Sequence, residues 1–362
     1  MIWKIRSRTL TCTRPLLMGI LNVTPDSFYD GGRFLKPDEA TNQARQLADQ
    51  GADILDLGAE STRPDADPVS EEEEWDRLAP VLGELLENIQ IPISIDTTKS
   101  GVARRALGRG ADIVNDVSGL RGDPKMAGVV KDFEAGVVLM HRRGTPKTMQ
   151  SLAQYDDVVT EVIDELRQGI EAAESSGISP EQIVVDPGIG FSKTAGQNLE
   201  VINRLDEFEQ IGRPILIGPS RKSFIGAVIK QEPNQGCKTG IANPKIFSSP
   251  PSGERIKVRG TSENNLNIHP HPALSLQWRE RGKDYSYGLA LPNQRLFGTV
   301  AACVLAFERG ARIFRVHDVA HVREALLVAE GILRGRHPEA TKWPKDPVRD
   351  PSSAELRSAS SG

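Results

Sequence analysis

The sequence predicts an α/β protein: a closed (β/α)8 barrel with a long irregular insertion after its seventh strand. Three observations carry this. Short apolar runs rich in Ile, Val and Leu recur along the chain. An amphipathic stretch follows each of them, and polar residues able to do chemistry sit just after each run, in phase with it. Continuous apolar runs of this length suit strands buried on both faces, as in a parallel sheet. About eight strand–helix units close a ring. A doubly wound open sheet is the alternative on spacing alone, and it ordinarily has roughly five to seven strands.

In order, the runs are Leu16–Val23, Ala52–Gly58, Ile93–Thr97, Ile113–Val117, Val137–His141, Ile183–Asp186, Ile215–Gly218 and Ile313–Val316. Residues 1–15 precede the first and are expected to form a hairpin or plug at the barrel bottom. Between the runs, Ser70-Glu71-Glu72-Glu73 reads as an N-cap with Glu at the third helical position, opening a helix through about Asn88. Tyr155–Ser176 is a second helix, closed by Gly177, and Gln197–Gln210 and His321–Leu333 are similar.

Residues 233–291 break the rhythm. They carry clusters such as Asn243-Pro244 and Ser248–Gly253 and show neither period. A structureless loop this long is unusual in a compact domain. Pro233-Asn234-Gln235 recurs as Pro292-Asn293-Gln294, and joining Glu232 to Pro292 restores ordinary spacing. The stretch therefore reads as an insertion, flanked by a short duplication, in a barrel spanning 16–334. Its His269-Pro270-His271-Pro272 contains an H-x-H pair, a weak metal signal that a solvated loop explains better. The polar tail 335–362, with Pro338, Pro344, Pro347 and Pro351, is expected to be disordered.

Composition narrows function. The 362 residues are 38% hydrophobic and 26% charged, enough for a sizeable core. A net charge of −4 gives no bulk field for nucleic acid or an anionic membrane. Aromatics at 5% argue against base-stacking platforms. No apolar run approaches the roughly 20 residues of a membrane span, and Met1-Ile2-Trp3-Lys4 lacks the apolar core of a signal peptide. Cys12, Cys237 and Cys303 lie far apart without metal or redox spacing, which points to reduced thiols in a cytoplasmic protein.

The residues after the runs are the candidates for chemistry. Asn22 follows the first run, Asp56 and Glu60–Arg63 the second, and Asp96 the third. Asn115 and Asp116 end the fourth, Asp186 the sixth, Ser220-Arg221-Lys222 follow the seventh, and Arg315 and His317 end the eighth. A barrel brings all of these ends to one rim and one pocket. Each alone is ordinarily a cap or turn residue. So many in phase are not explained by capping.

The motifs then become recognisable. Gly19-Ile20-Leu21-Asn22-Val23-Thr24-Pro25-Asp26-Ser27-Phe28 resembles the first signature of the dihydropteroate synthase family, and Asp56-Leu57-Gly58-Ala59-Glu60-Ser61-Thr62-Arg63-Pro64 its second. Asp96-Thr97, Asn115-Asp116-Val117, Asp186-Pro187-Gly188, Ser220-Arg221-Lys222-Ser223 and Arg315-Val316-His317-Asp318 continue in the family's order. The resemblance covers about residues 15–232 and 292–334. It implies a TIM-barrel transferase of folate biosynthesis that joins 6-hydroxymethyl-7,8-dihydropterin diphosphate to p-aminobenzoate. The implied route is dissociative: diphosphate leaves first, and the aniline nitrogen attacks the ring-stabilised cation.

Site roles follow from the resemblance. A carboxylate accepts two N–H bonds in a fork, which suits the pterin's amino edge. Asp186 takes this part, with Asp96 and Asn115 completing the edge and Lys222 donating to the pterin carbonyl and ring nitrogen. A plain turn residue before Pro187-Gly188 is the other reading of Asp186. Arg63, Arg315 and His317 would hold the diphosphate, the arginines as planar forks. Surface ion pairing, or a structural histidine, is the other reading of these three. Asn22 would hold Mg²⁺, a hard cation that keeps most of its waters. Loops Thr24–Gly32 and Ser61–Asp67 would be lids over an aminobenzoate pocket walled by Phe28, Thr62, Pro64 and Phe191, although the two phenylalanines also suit core packing. Ser223 would take the aminobenzoate carboxylate. Lys222, Arg63 and Asp96 are the expected catalytic residues. The family pattern further implies a homodimer acting on small molecules, using the helical layer into which the insertion falls. A pterin-dependent methyltransferase shares Asp96, Asn115 and Asp186 but has no use for Arg63, Arg315 and His317. A non-catalytic pterin-binding paralogue is motivated by the insertion. On these roles, Arg315→Ala is expected to weaken the diphosphate substrate while sparing bare pterin.

Overall fold

A computed structural model of the chain describes residues 1–23, 37–62, 66–229 and 292–335. The expected insertion 233–291 and the tail beyond residue 335 lie outside the described residues. Strands β1 (Ile2–Ile5) and β2 (Arg8–Thr11) pair antiparallel, Ile2 opposite Thr11 and Ile5 opposite Arg8. Their period of two buries Trp3 and Ile5 on one face. With Leu10 and Cys12, these side chains pack against Met18, Ile54, Val138, Val184, Leu216 and Ile313. The hairpin thus closes the bottom of the barrel from below, and Trp3 Nε1 donates to the Gln182 carbonyl at 2.8 Å. Gly136 permits the close approach: a Cβ there would lie 2.4 Å from Ile5 Cγ2.

The barrel strands are β3 (Leu16–Asn22), β4 (Ile54–Gly58), β5 (Ile93–Asp96), β6 (Ile113–Asp116), β7 (Gly136–Met140), β8 (Ile183–Asp186), β9 (Leu216–Ile217) and β10 (Ile313–Val316). They form one eight-stranded parallel sheet in the order β8-β7-β6-β5-β4-β3-β10-β9. A parallel bridge between Val185 and Ile215 closes the ring. Strand β9 is shorter than its apolar run: Ile215 makes an isolated bridge and Gly218 lies beyond the ladder.

The unbroken apolar runs serve two cores. In β3, Leu17 and Leu21 face the helices while Leu16 and Met18 face the barrel interior. In β8, Ile183 and Val185 point outward and Val184 inward. Each fully buried aliphatic side chain contributes about 1.5–3 kcal/mol.

The outer layer is α1 (Pro37–Asp49), α2 (Glu71–Asn88), α3 (Ser100–Arg109), α4 (Met126–Asp132), α5 (Val158–Ser175), α6 (Ala195–Asn203), α7 (Ser223–Ile229), α8 (Leu296–Glu308) and α9 (Val319–Arg334). Ser70 caps α2 by accepting from the Glu73 N–H at 3.2 Å, whereas the Glu73 carboxylate turns to Arg77. Asp157 caps α5 by accepting from Val159 and Thr160, so the helix begins after Tyr155 rather than at it. The stretch 197–210 is two elements. A Thr194–Gln197 capping box starts α6 earlier, and a 3-10 helix, Leu205–Ile211, follows a break at Arg204. Leu205 and Phe208 are both fully buried, and their three-residue spacing matches three residues per turn. Among the described residues, no helix is long and apolar enough to cross a membrane.

Candidate active site

The carboxyl ends of the barrel strands hold a buried acid–guanidinium cluster. Asp56 lies in β4, Asp96 ends β5, Asn115 lies in β6 and Arg315 in β10. Arg315 Nε donates to Asp56 Oδ2 at 2.6 Å, and its Nη2 donates to Asp96 Oδ2 at 2.6 Å. Asn115 Nδ2 donates to the same Asp56 oxygen at 3.1 Å. The strand ladder delivers this convergence: Gly58 lies opposite Asp96, and Asp96 opposite Asn115. Asp56 Oδ1 and Asp96 Oδ1 are buried without a hydrogen bond among the described residues. A buried acceptor left unmet costs about 1–3 kcal/mol. Two of them at a rim call for a ligand rich in N–H donors.

Electrostatics follow burial. Burial pushes the Asp96 carboxyl up to about 7, with Arg315 pulling it down and Asp56 pushing it further up. Burial disfavours the Arg315 cation, but Asp56 and Asp96 outweigh it and hold that group above its ordinary value.

Asp186 ends β8. Its Oδ1 accepts from the Gly188 N–H at 2.7 Å. Gly188 has φ +72°, and a Cβ there would lie 2.0 Å from the His141 carbonyl oxygen, so only glycine fits this turn. Burial raises the Asp186 carboxyl, opposed by the Gly188 N–H and by Lys222 and Lys193. Lys222 Nζ lies 3.9 Å above the centroid of the buried Phe191 ring, a cation–π arrangement. Ser220 Oγ lies 3.0 Å from His317 Nδ1 and accepts from the His317 backbone N–H, which orients that ring beside β10.

The motif residue Arg221 is taken up by a neighbouring loop. It makes a two-point ion pair with Asp318. Ser223 opens α7 and is exposed, Asn22 ends β3 half-buried, and Thr62 is half-buried after β4. Phe28, Arg63 and Pro64 lie outside the described residues, as does the lid 24–32. The neck of the loop after β4 is clamped: Glu60 accepts from the Val69 N–H at 2.9 Å and from Lys99 Nζ at 2.8 Å, and Lys99 also pairs with the fully buried Glu74 at 2.5 Å.

The structure adds partners that the motifs do not show. Arg315, expected at the diphosphate, pairs here with Asp56 and Asp96. Asp56, singled out only as a strand-end residue, sits at the centre of the cluster. His141 and Lys193, both buried, meet behind the Asp186 turn, with the half-buried Glu165 beside the His141 ring. His141 ends the fifth apolar run and Lys193 lies two residues beyond Phe191, but no motif singles out Glu165.

The pterin binding enzyme family matches residues 18–242. The dihydropteroate synthase of Synechocystis sp. is 38% identical over 321 residues, covering 89% of this chain and 91% of that protein. The Xanthomonas albilineans dihydropteroate synthase solved with 4-aminobenzoic acid superposes with TM-score 0.71 at 36% identity, covering 92% of this chain and 98% of that one. The same enzyme in complex with 7,8-dihydropteroate gives 0.69 at 34% identity, covering 92% and 99%. Fold and rim together define a pterin-binding barrel enzyme. The chain belongs to the dihydropteroate synthase family, whose members are transferases.

Proposed function

We infer that this chain joins 6-hydroxymethyl-7,8-dihydropterin diphosphate to p-aminobenzoate, giving 7,8-dihydropteroate and diphosphate in folate biosynthesis. The carrying observation is the pair of unmet carboxylate oxygens on Asp56 and Asp96 beside Arg315. The pterin's amino and ring N–H groups donate to Asp186 and Asp96, and Asn115 completes the edge. Lys222 donates to the ring carbonyl. The bond from the methylene to diphosphate breaks first, and its electron pair leaves with the diphosphate. Arg63, Arg315 and His317 take up that charge, and the cation left behind spreads into the reduced ring. The aniline nitrogen then forms the new C–N bond and sheds a proton. Holding it close to the cation supplies much of the rate. Phe28, Thr62, Pro64 and Phe191 wall its pocket, and the Ser223 hydroxyl takes its carboxylate.

Mg²⁺ fits this chemistry. Asn22 Oδ1 and Asp96 Oδ2, two hard oxygen donors, both lie beside Gly58, 3.6 and 3.7 Å from the point a Cβ there would occupy. Asn22 would hold the ion, which supplies neutralising charge to the diphosphate.

A homodimer and a cytoplasmic location complete the reading. Phe297, Leu305, Val328 and Ile332 leave apolar side chains exposed on the adjoining helices α8 and α9, a surface that suits a second copy. Cys12 and Cys303 are buried free thiols, as a reducing compartment permits. The test is diphosphate release by the purified full-length chain with the pterin substrate and Mg²⁺. Release that depends on p-aminobenzoate is expected. An equal rate without the amine would indicate hydrolysis and overturn the reading.

A further inference from the structure

Behind the rim, Lys193 is buried to 3% exposure. Its ammonium has three hydrogens and meets three acceptors: His141 Nδ1 at 3.0 Å, the Phe191 carbonyl at 3.2 Å and the Gly188 carbonyl at 3.3 Å. Two of these belong to the turn that follows Asp186, and the third to the end of the neighbouring strand. Burial pushes the Lys193 ammonium down to about 7 against the pull of Asp186 and Glu165, with Arg143 and Lys222 adding to the depression. Burial likewise lowers His141 to about 4, so its ring is neutral, and Nδ1 accepting from Lys193 assigns the ring proton to Nε2. Nε2 lies 3.2 Å from Glu165 Oε2, a close contact off the hydrogen-bond axis. Burial raises the Glu165 carboxyl, but the ion pair with Arg143 opposes it and keeps the group below its ordinary value.

A buried cation is a poor filler. A methionine of similar length would occupy the space without desolvating a charge. What the ammonium supplies is direction. Gly188 and Phe191 are fixed relative to β7 by one atom. Their turn carries Asp186 at one end and, at the other, the Phe191 ring that seats Lys222.

We propose that Lys193, held by His141, is a positioning residue that sets the Asp186–Phe191 turn in the shape that receives the pterin ring. This rests on the assignment of Asp186 to the pterin edge. Turn and ring meet in the ground state as well as the transition state, so the loss falls on binding rather than turnover.

The test is steady-state kinetics of the full chain with variants Lys193→Met, His141→Leu and His141→Asn, and Asp186→Ala as control. Lys193→Met and His141→Leu are expected to raise KM for the pterin substrate at least tenfold with kcat kept within threefold. His141→Asn places an acceptor oxygen near the position of Nδ1 and is expected to restore KM to within threefold of the unsubstituted chain. A role in folding alone would lower kcat with the active fraction and leave KM unchanged. That pattern, an unchanged KM in Lys193→Met, or equal damage from Leu and Asn at 141, overturns the proposal. If Lys193→Met does not fold, the two His141 variants decide. An unaffected Asp186→Ala would refute the underlying assignment. An impaired Asp186→Ala beside a normal Lys193→Met would refute this inference alone.

Discussion

Arg315 faces two buried carboxylates, and that one side chain governs how the rim holds charge. The trio lacks one positive charge unless Asp96 takes a proton, consistent with a carboxyl raised to about 7. Arg315→Ala therefore removes more than a diphosphate contact. Without it Asp96 rises further and is protonated at neutral pH, so it can no longer accept two N–H bonds. Bare pterin affinity is expected to fall about tenfold, one pKa unit being about 1.4 kcal/mol. Calorimetry checks this, and affinity spared at pH 7 would restore the separate-roles reading that the motif order suggests. The same group sets a pH profile. Ligand N–H donors need the ionised carboxyl, so affinity should be flat above about pH 7 and fall below it, with proton release on binding at pH 6. For folding the sign is opposite. The folded pKa lies above the ordinary 3.8, so the contribution is full below that value and lost as pH rises through about 7. Residue types at the rim were legible because each sits in phase at a strand end. Their pairing was not, since 219 and 259 residues separate Arg315 from its two acids.

Elements position these residues, and their local codes differ in strength. The Ser70 cap reads directly, because capping is a contact within one turn. The break at Arg204 does not, because an apolar pattern of Leu205 and Phe208 fits an α-helix and a 3-10 helix alike. Nor does the clamp between elements, in which Lys99, just before α3, pairs with Glu74 of α2 and with Glu60 after β4. Glu74 is fully buried and burial raises its carboxyl. Lys99→Met strands that carboxylate and is expected to cost about 3–5 kcal/mol at pH 8. The loss should shrink as pH falls and Glu74 takes a proton. Thermal melts at pH 8 and pH 5 measure both. An equal loss at the two values would mean that the pairing is not what Lys99 contributes.

At the scale of the whole molecule, eight of the described strands form the barrel and the β1–β2 hairpin closes its bottom, yet the helical layer leaves large apolar side chains exposed. Phe297 is 85% exposed on α8, and Ile332 is 75% exposed on α9. The two helices pack on each other. Covering large aromatic and aliphatic groups gains about 25 cal/mol per Å² removed from water. A two-fold contact buries the same patch on both copies at once. Phe297→Asp puts a charge into that surface twice per dimer. Sedimentation should therefore show a dimer for the unsubstituted chain and a monomer for Phe297→Asp. The melting temperature of the isolated variant should stay within a few degrees of the parent measured at dilutions where it too is dissociated, because the removed side chain contributes almost nothing to the barrel's own cores. If the unsubstituted chain sediments as a monomer across micromolar concentrations, this face serves something other than self-association, and the dimer reading is lost while the rim chemistry stands.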